Sequence, residues 1–133
     1  MKNGMISALA AGFAVAMTLA ATAGAAELKP YDQASFEMAQ QNGDPIVVDI
    51  WASWCPTCKA QEPIIEELAA SPDFADLTIF RVDFDAQKDV VRALGARSQS
   101  TLIAFDGMNE TSRSVGDTSP QTIEALFRST MKN

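Results

Sequence analysis

The chain has two cysteines, two residues apart, in the string Trp54-Cys55-Pro56-Thr57-Cys58. Ahead of them, Ile46 to Trp51 is a β-rich and mostly apolar run broken by one carboxylate, Asp49. It reads as a buried strand. Behind them, Lys59 to Ala70 sets Ile64, Ile65 and Leu68 on one side and acids on the other, which predicts an amphipathic helix. Pro63 should kink this helix, and Ser71-Pro72 should close it. A C-x-x-C pair between a buried strand and a helix is the setting of a redox dithiol, whose active groups sit where the strand ends.

The rest of the chain repeats this alternation. A short helix is expected from Gln33 to Gln41, capped by Asp32 and ended by Gly43, and a strand from Leu77 to Phe84. Lys88 to Leu94 should form a helix stopped by Gly95. Thr101 to Phe105 and Ser112 to Val115 read as neighbouring strands joined by a turn at Asp106-Gly107. Ser119-Pro120 opens a last helix that buries Ile123, Leu126 and Phe127. The order α-β-α-β-α-β-β-α predicts an α/β domain, a central mixed sheet with helices on both faces.

With 133 residues, this is one domain rather than two. Residues 27–133 carry it, because the preceding segment has a different character. No charge occurs from Met5 to Ala26, Lys2 lies ahead of an apolar stretch, and small residues gather at Ala23 to Ala26. Residues 1–26 therefore read as a signal peptide cut after Ala25 or Ala26, with an uncleaved anchor through residues 5–26 as the rival. Either exports the domain, to the periplasm if the source is bacterial.

Charge and composition exclude several function classes. All seventeen acidic residues lie from Glu27 onward, with nine of the ten basic ones, so the body carries a net charge of −8. Nucleic acid and anionic membrane are poor partners for it. No histidine is present, which removes Ser-His and Cys-His catalysis and histidine-ligated metals.

Chemistry then rests on the cysteines. Cys55 at a helix N-terminus has its thiolate stabilised by free backbone N–H groups and the helix dipole, and so serves as the nucleophile. One turn on, Cys58 is the resolving thiol. The bland alternatives are an inert disulfide, which across so short a loop adds little stability, and half a zinc site, which has no second pair of ligands.

The string Val48-Asp49-Ile50-Trp51-Ala52-Ser53-Trp54-Cys55-Pro56-Thr57-Cys58-Lys59, with Pro63, Gly107 and Gly116, resembles the thioredoxin family over nearly everything after residue 26. The resemblance implies a thioredoxin fold and a thiol-disulfide oxidoreductase that needs no cofactor. It implies that Asp49 accepts the proton of Cys58. The family usually pairs this acid with a lysine on the next strand, where Arg81 stands here, either paired with Asp49 or merely on the sheet surface. Paired, an arginine should hold the Asp49 pKa down more persistently than lysine. Lys59, beside the second cysteine, is a further candidate for tuning the pair.

The departure is Ser100. Related proteins carry a cis-proline just before the Thr-Leu seen here as Thr101-Leu102, in a loop that binds substrate backbone. A cis bond before serine costs about 2.5 to 4 kcal/mol, so a trans bond and a displaced loop are expected. Two readings stand open: a simple loop variant, or a hydroxyl that donates to the Cys55 thiolate. Trp54, Pro56, Gln99, Ser100 and Thr101 are the candidate substrate-binding residues.

Pro56-Thr57 is similar to the dipeptide of exported reductants that serve cytochrome c maturation, although the insertion common in those proteins is missing. The functional expectation is an exported reductant of client disulfides, supplied with electrons by another protein and monomeric. An oxidant of exported thiols is the first alternative. Two others are a thiolate module for Cu(I), with Met108 as the nearest accessory ligand, and a folding helper without redox turnover.

Overall fold

A computed structural model describes residues 24–131, so the leader and its rival reading as an anchor lie outside the described residues. No helix of the described residues is long and apolar enough to cross a membrane.

The elements are β1 (Glu27–Pro30), α1 (Gln33–Asn42), β2 (Pro45–Trp51), α2 (Pro56–Ala70), a 3-10 turn (Pro72–Phe74), β3 (Thr78–Asp83), α3 (Lys88–Ala93), β4 (Thr101–Asp106), β5 (Asn109–Val115) and α4 (Pro120–Arg128). The sheet order is β1-β3-β2-β4-β5, with β2 central. β1 and β2 both run parallel to β3, while β4 is antiparallel to β2 and to β5. This is the mixed sheet the alternation predicts.

The alternating side chains of β2 feed two cores. Ile46, Val48 and Ile50 join Phe36 of α1, Val91 of α3, Phe80, Val82, Ile103 and Phe105 on one face. Val47 joins Ile65 of α2, Ile123, Leu126 and Phe127 of α4, Ile79, Leu102 and Ala104 on the other. A strand buried on both faces is apolar throughout, which is why Asp49, on the α2 side, stands out. The cysteines form a small third cluster with Ala52, against Trp51 and Phe84, at the end of β2.

Three details differ from the sequence-based expectation. The four-residue β1 extends the sheet beyond β3, and mostly exposed edge residues give it no readable apolar pattern. Helix α2 starts at Pro56 rather than Lys59, because Cys55 caps it and proline fits the first helical turn. β5 starts at Asn109 rather than Ser112, its polar residues being those of an edge strand with exposed side chains.

Candidate functional site

Cys55 and Cys58 are joined as a disulfide with their Cα atoms 5.3 Å apart. Cys55 is the N-cap of α2, and its Sγ accepts from the Cys58 backbone N–H at 3.1 Å. A free first-turn amide of α2 therefore points at this sulfur, an arrangement that favours a thiolate. Both cysteines are nearly closed to solvent, at 1% and 2% exposure, so any thiolate that attacks the disulfide must first gain access to it.

Around them, Trp54 is 55% exposed, and its indole Nε1 donates to Asp85 on the loop after β3 at 2.7 Å. That bond ties the ring to the loop after β3. Pro56 is exposed at the first position of α2, and Gln99 is half-buried. Thr101 is buried, with its hydroxyl donating to the Ser98 carbonyl at 2.7 Å. Lys59 is exposed and forms no ion pair among the described residues.

No peptide bond among the described residues is cis. Ser100 takes the left-handed region instead, with φ of 60°, and is the one described non-glycine residue that does so. Its N–H donates to the Ile50 carbonyl at 2.8 Å, and its own carbonyl accepts from Gly116 N–H at 2.9 Å. The Ser100 Oγ lies 3.0 Å from Cys55 Sγ and 3.3 Å from Cys58 Sγ.

Asp49 is 1% exposed on the sheet face that α2 covers. Its register partner on β3 is Arg81, whose Nε donates to Asp49 Oδ2 at 3.0 Å while a terminal nitrogen stands 2.9 Å from the same oxygen. Arg81 also reaches Glu62 of α2 at 3.1 Å and stacks 5.3 Å from the Trp51 ring. Burial pushes the Asp49 carboxyl up from the ordinary aspartate range more strongly than Arg81 pulls it down, and Glu62 adds to the upward push. The net direction is thus the opposite of an arginine-dominated site.

Two residues escaped the sequence reading. Gln61 of α2 is buried and donates through Nε2 to the Ser100 carbonyl at 3.4 Å and the Asp117 carbonyl at 2.8 Å, tying α2 to both loops beside the disulfide. A polar residue three positions after Cys58, on the helix's buried stripe, was the available signal. Glu62 looked like one more solvent-facing acid, since nothing local announces Arg81. Met108 lies in the β4–β5 turn, at the far end of β4 from Ser100, so it is no accessory ligand to the cysteines. Among the described residues no cluster of three or more histidine, cysteine or acidic side chains is placed to hold a metal.

A disulfide at the head of the helix that follows the central strand, itself carrying a buried acid, defines a dithiol/disulfide oxidoreductase of thioredoxin fold. The family model for thioredoxin matches residues 27–129, and the chain belongs to the thioredoxin family. It is 32% identical over 93 residues to the thioredoxin of Alicyclobacillus acidocaldarius, covering 69% of this chain and 87% of that protein. It is 34% identical over 104 residues to the bifunctional thioredoxin reductase/thioredoxin of Mycobacterium leprae, covering 78% of this chain and 22% of that protein. Among solved structures, Trxlp of Edwardsiella tarda superposes with a TM-score of 0.74 at 40% identity, covering 76% of this chain and 98% of that one.

Proposed function

We propose that this protein is an exported thioredoxin-like reductant of client disulfides. The Cys55 thiolate attacks a client disulfide, forming a Cys55–client mixed disulfide and releasing one client thiolate. Asp49 takes the proton of Cys58, whose thiolate then attacks Cys55 Sγ. The Cys55–Cys58 disulfide forms and the second client thiolate leaves, so the client gains two electrons and the protein loses two. A partner redox protein returns them.

The observation that carries this reading is Cys55 capping α2 with the Cys58 N–H on its sulfur. Asp49 supports it, because a carboxyl held above its ordinary range by burial is a stronger base than an exposed aspartate and is suited to accept and return a proton. The M. leprae protein, in which a thioredoxin is joined to a thioredoxin reductase, supports the reductive direction. Export rests on residues 1–26. Processing after Ala25 would keep Ala26, whose N–H donates to the Ala69 carbonyl at 2.8 Å and whose side chain packs on the α2–α4 core.

The deciding measurement is the reduction potential of the Cys55/Cys58 couple in defined thiol buffers. A value well below about −200 mV upholds the reductant, and one near −120 mV makes the protein an oxidant instead. N-terminal sequencing of the protein from a cell fraction tests export, with Ala26 as the expected first residue and an intact Met1 in the cytosol as the contrary result.

A further inference from the structure

We infer that the Ser100 hydroxyl is a catalytic hydrogen-bond donor that serves the two sulfurs in turn, first the Cys55 thiolate and then the Cys58 thiolate. This rests on thiol-disulfide exchange at the pair and on neither its direction nor its compartment.

Ser100 is 3% exposed, so its hydroxyl is not satisfied by bulk water. Among the described residues its hydroxyl meets the two sulfurs, 3.0 and 3.3 Å away. In the disulfide neither sulfur carries a proton, so the hydroxyl is the donor. A disulfide sulfur accepts weakly and a thiolate strongly, so the bond strengthens whenever one of these sulfurs becomes anionic.

The backbone is arranged to hold this position. A left-handed serine costs about 1 to 2 kcal/mol, and an outlier persists only where its surroundings fix it. Here they do: Ile50 holds the N–H, while Gly116 and Gln61 hold the carbonyl. A proline at this position has no hydroxyl to give, and serine places one over the pair.

One hydroxyl proton serves one strong acceptor at a time. In the reduced protein that acceptor is Cys55, whose thiolate also has the Cys58 N–H. Attack on a client converts the Cys55 sulfur to a mixed disulfide, a weak acceptor, and frees the hydroxyl. Rotation about the Ser100 side chain then turns the donor to Cys58 as Asp49 removes its proton. No proton leaves Ser100, and the electron count of the exchange is unchanged. Because both thiolates belong to the reduced state, the hydroxyl favours that state and raises the potential of the couple.

The test uses Ser100→Ala and Ser100→Gly, the latter keeping the left-handed backbone at ease while removing the same hydroxyl. The Cys55 pKa is read from the pH dependence of alkylation, and the Cys58 pKa from the same measurement in a Cys55→Ala background. Both substitutions should raise the Cys55 pKa by about one to two units, as expected for a lost bond to a charged group. They should also raise the Cys58 pKa in the Cys55→Ala background. The potential should fall, by about 30 mV for each tenfold change in the exchange constant. An unchanged Cys55 pKa in the glycine variant overturns the proposal. So does a shifted Cys55 with an unmoved Cys58, which confines the hydroxyl to one sulfur.

Discussion

Asp49 shows how one buried charge links stability to turnover. Its native pKa lies above the ordinary aspartate range because burial outweighs the pull of Arg81. Well below about pH 4, the ordinary aspartate pKa, both native and unfolded forms are protonated. As pH rises the unfolded chain ionises first, so stability present in acid is lost as pH climbs through the native pKa. Asp49→Asn should therefore be more stable than the parent at neutral pH, on the order of 1 kcal/mol, with the gap closing in acid. Arg81 keeps Glu62 as partner in that variant. Urea unfolding at several pH values checks this, and equal stability at pH 7 would count against a charge penalty. The same substitution should slow release of the client about a hundredfold or more in single-turnover assays, the usual scale for loss of a positioned base. Glu62→Gln separates the two acids. Removing its charge lowers the Asp49 pKa, directly and by leaving Arg81 to Asp49 alone, so the pH profile of the resolving step should move to lower pH. A profile that stays in place would show that Glu62 only decorates the surface.

At the scale of elements, the site depends on how firmly the sheet and helices are locked. Phe127 of α4 is fully buried and meets Phe74 edge to face at 5.6 Å between centroids. Phe127→Ala should cost about 3 to 5 kcal/mol in equilibrium unfolding while leaving the Cys55 pKa in place. The β4–β5 turn supplies a sharper contrast. A Cβ on Gly107 would lie 2.9 Å from the Gly43 Cα at the end of α1, and its φ is +58°. Gly95 has φ of +67° with no atom within 4 Å of an added Cβ. Gly95→Ala should cost about 1 kcal/mol from backbone strain alone, and Gly107→Ala measurably more because the α1 terminus must also shift. Equal losses in the two variants would mean that the turn yields freely. The cap of α2 belongs to this scale too: the apolar pattern is readable only from Lys59, while the cysteine motif puts Cys55 at the helix N-terminus, where it is the cap.

For the whole molecule, the body's net charge of −8 acts on encounter rather than on chemistry. Raising salt from about 0.01 to 0.15 M shortens the screening length from about 30 to 8 Å, so exchange with an acidic disulfide peptide should speed several-fold and with a basic one slow by as much. Stopped-flow tryptophan fluorescence follows both, with exposed Trp54 beside the pair as reporter. Rates indifferent to salt would remove charge from client selection. Much of the architecture was legible beforehand because the alternation of apolar runs and capped helices is local information. The cysteine motif between β2 and α2, the lone acid in an apolar strand and the amphipathic stripe of α4 could all be read along the chain. What the sequence could not decide were contacts between segments far apart. Arg81 meets Asp49 only because β2 and β3 pair in parallel in one register, and Glu62 joins them only because α2 lies across that face. Trp54 finds Asp85, and Gln61 finds Ser100, across 31 and 39 residues of chain. The trans bond before Ser100 was expected from the sequence, and a hydroxyl reaching Cys55 was one of its open readings; the left-handed backbone that brings the hydroxyl onto both sulfurs was decided by long-range hydrogen bonds, from Ile50, Gly116 and Gln61, which no local propensity for serine encodes.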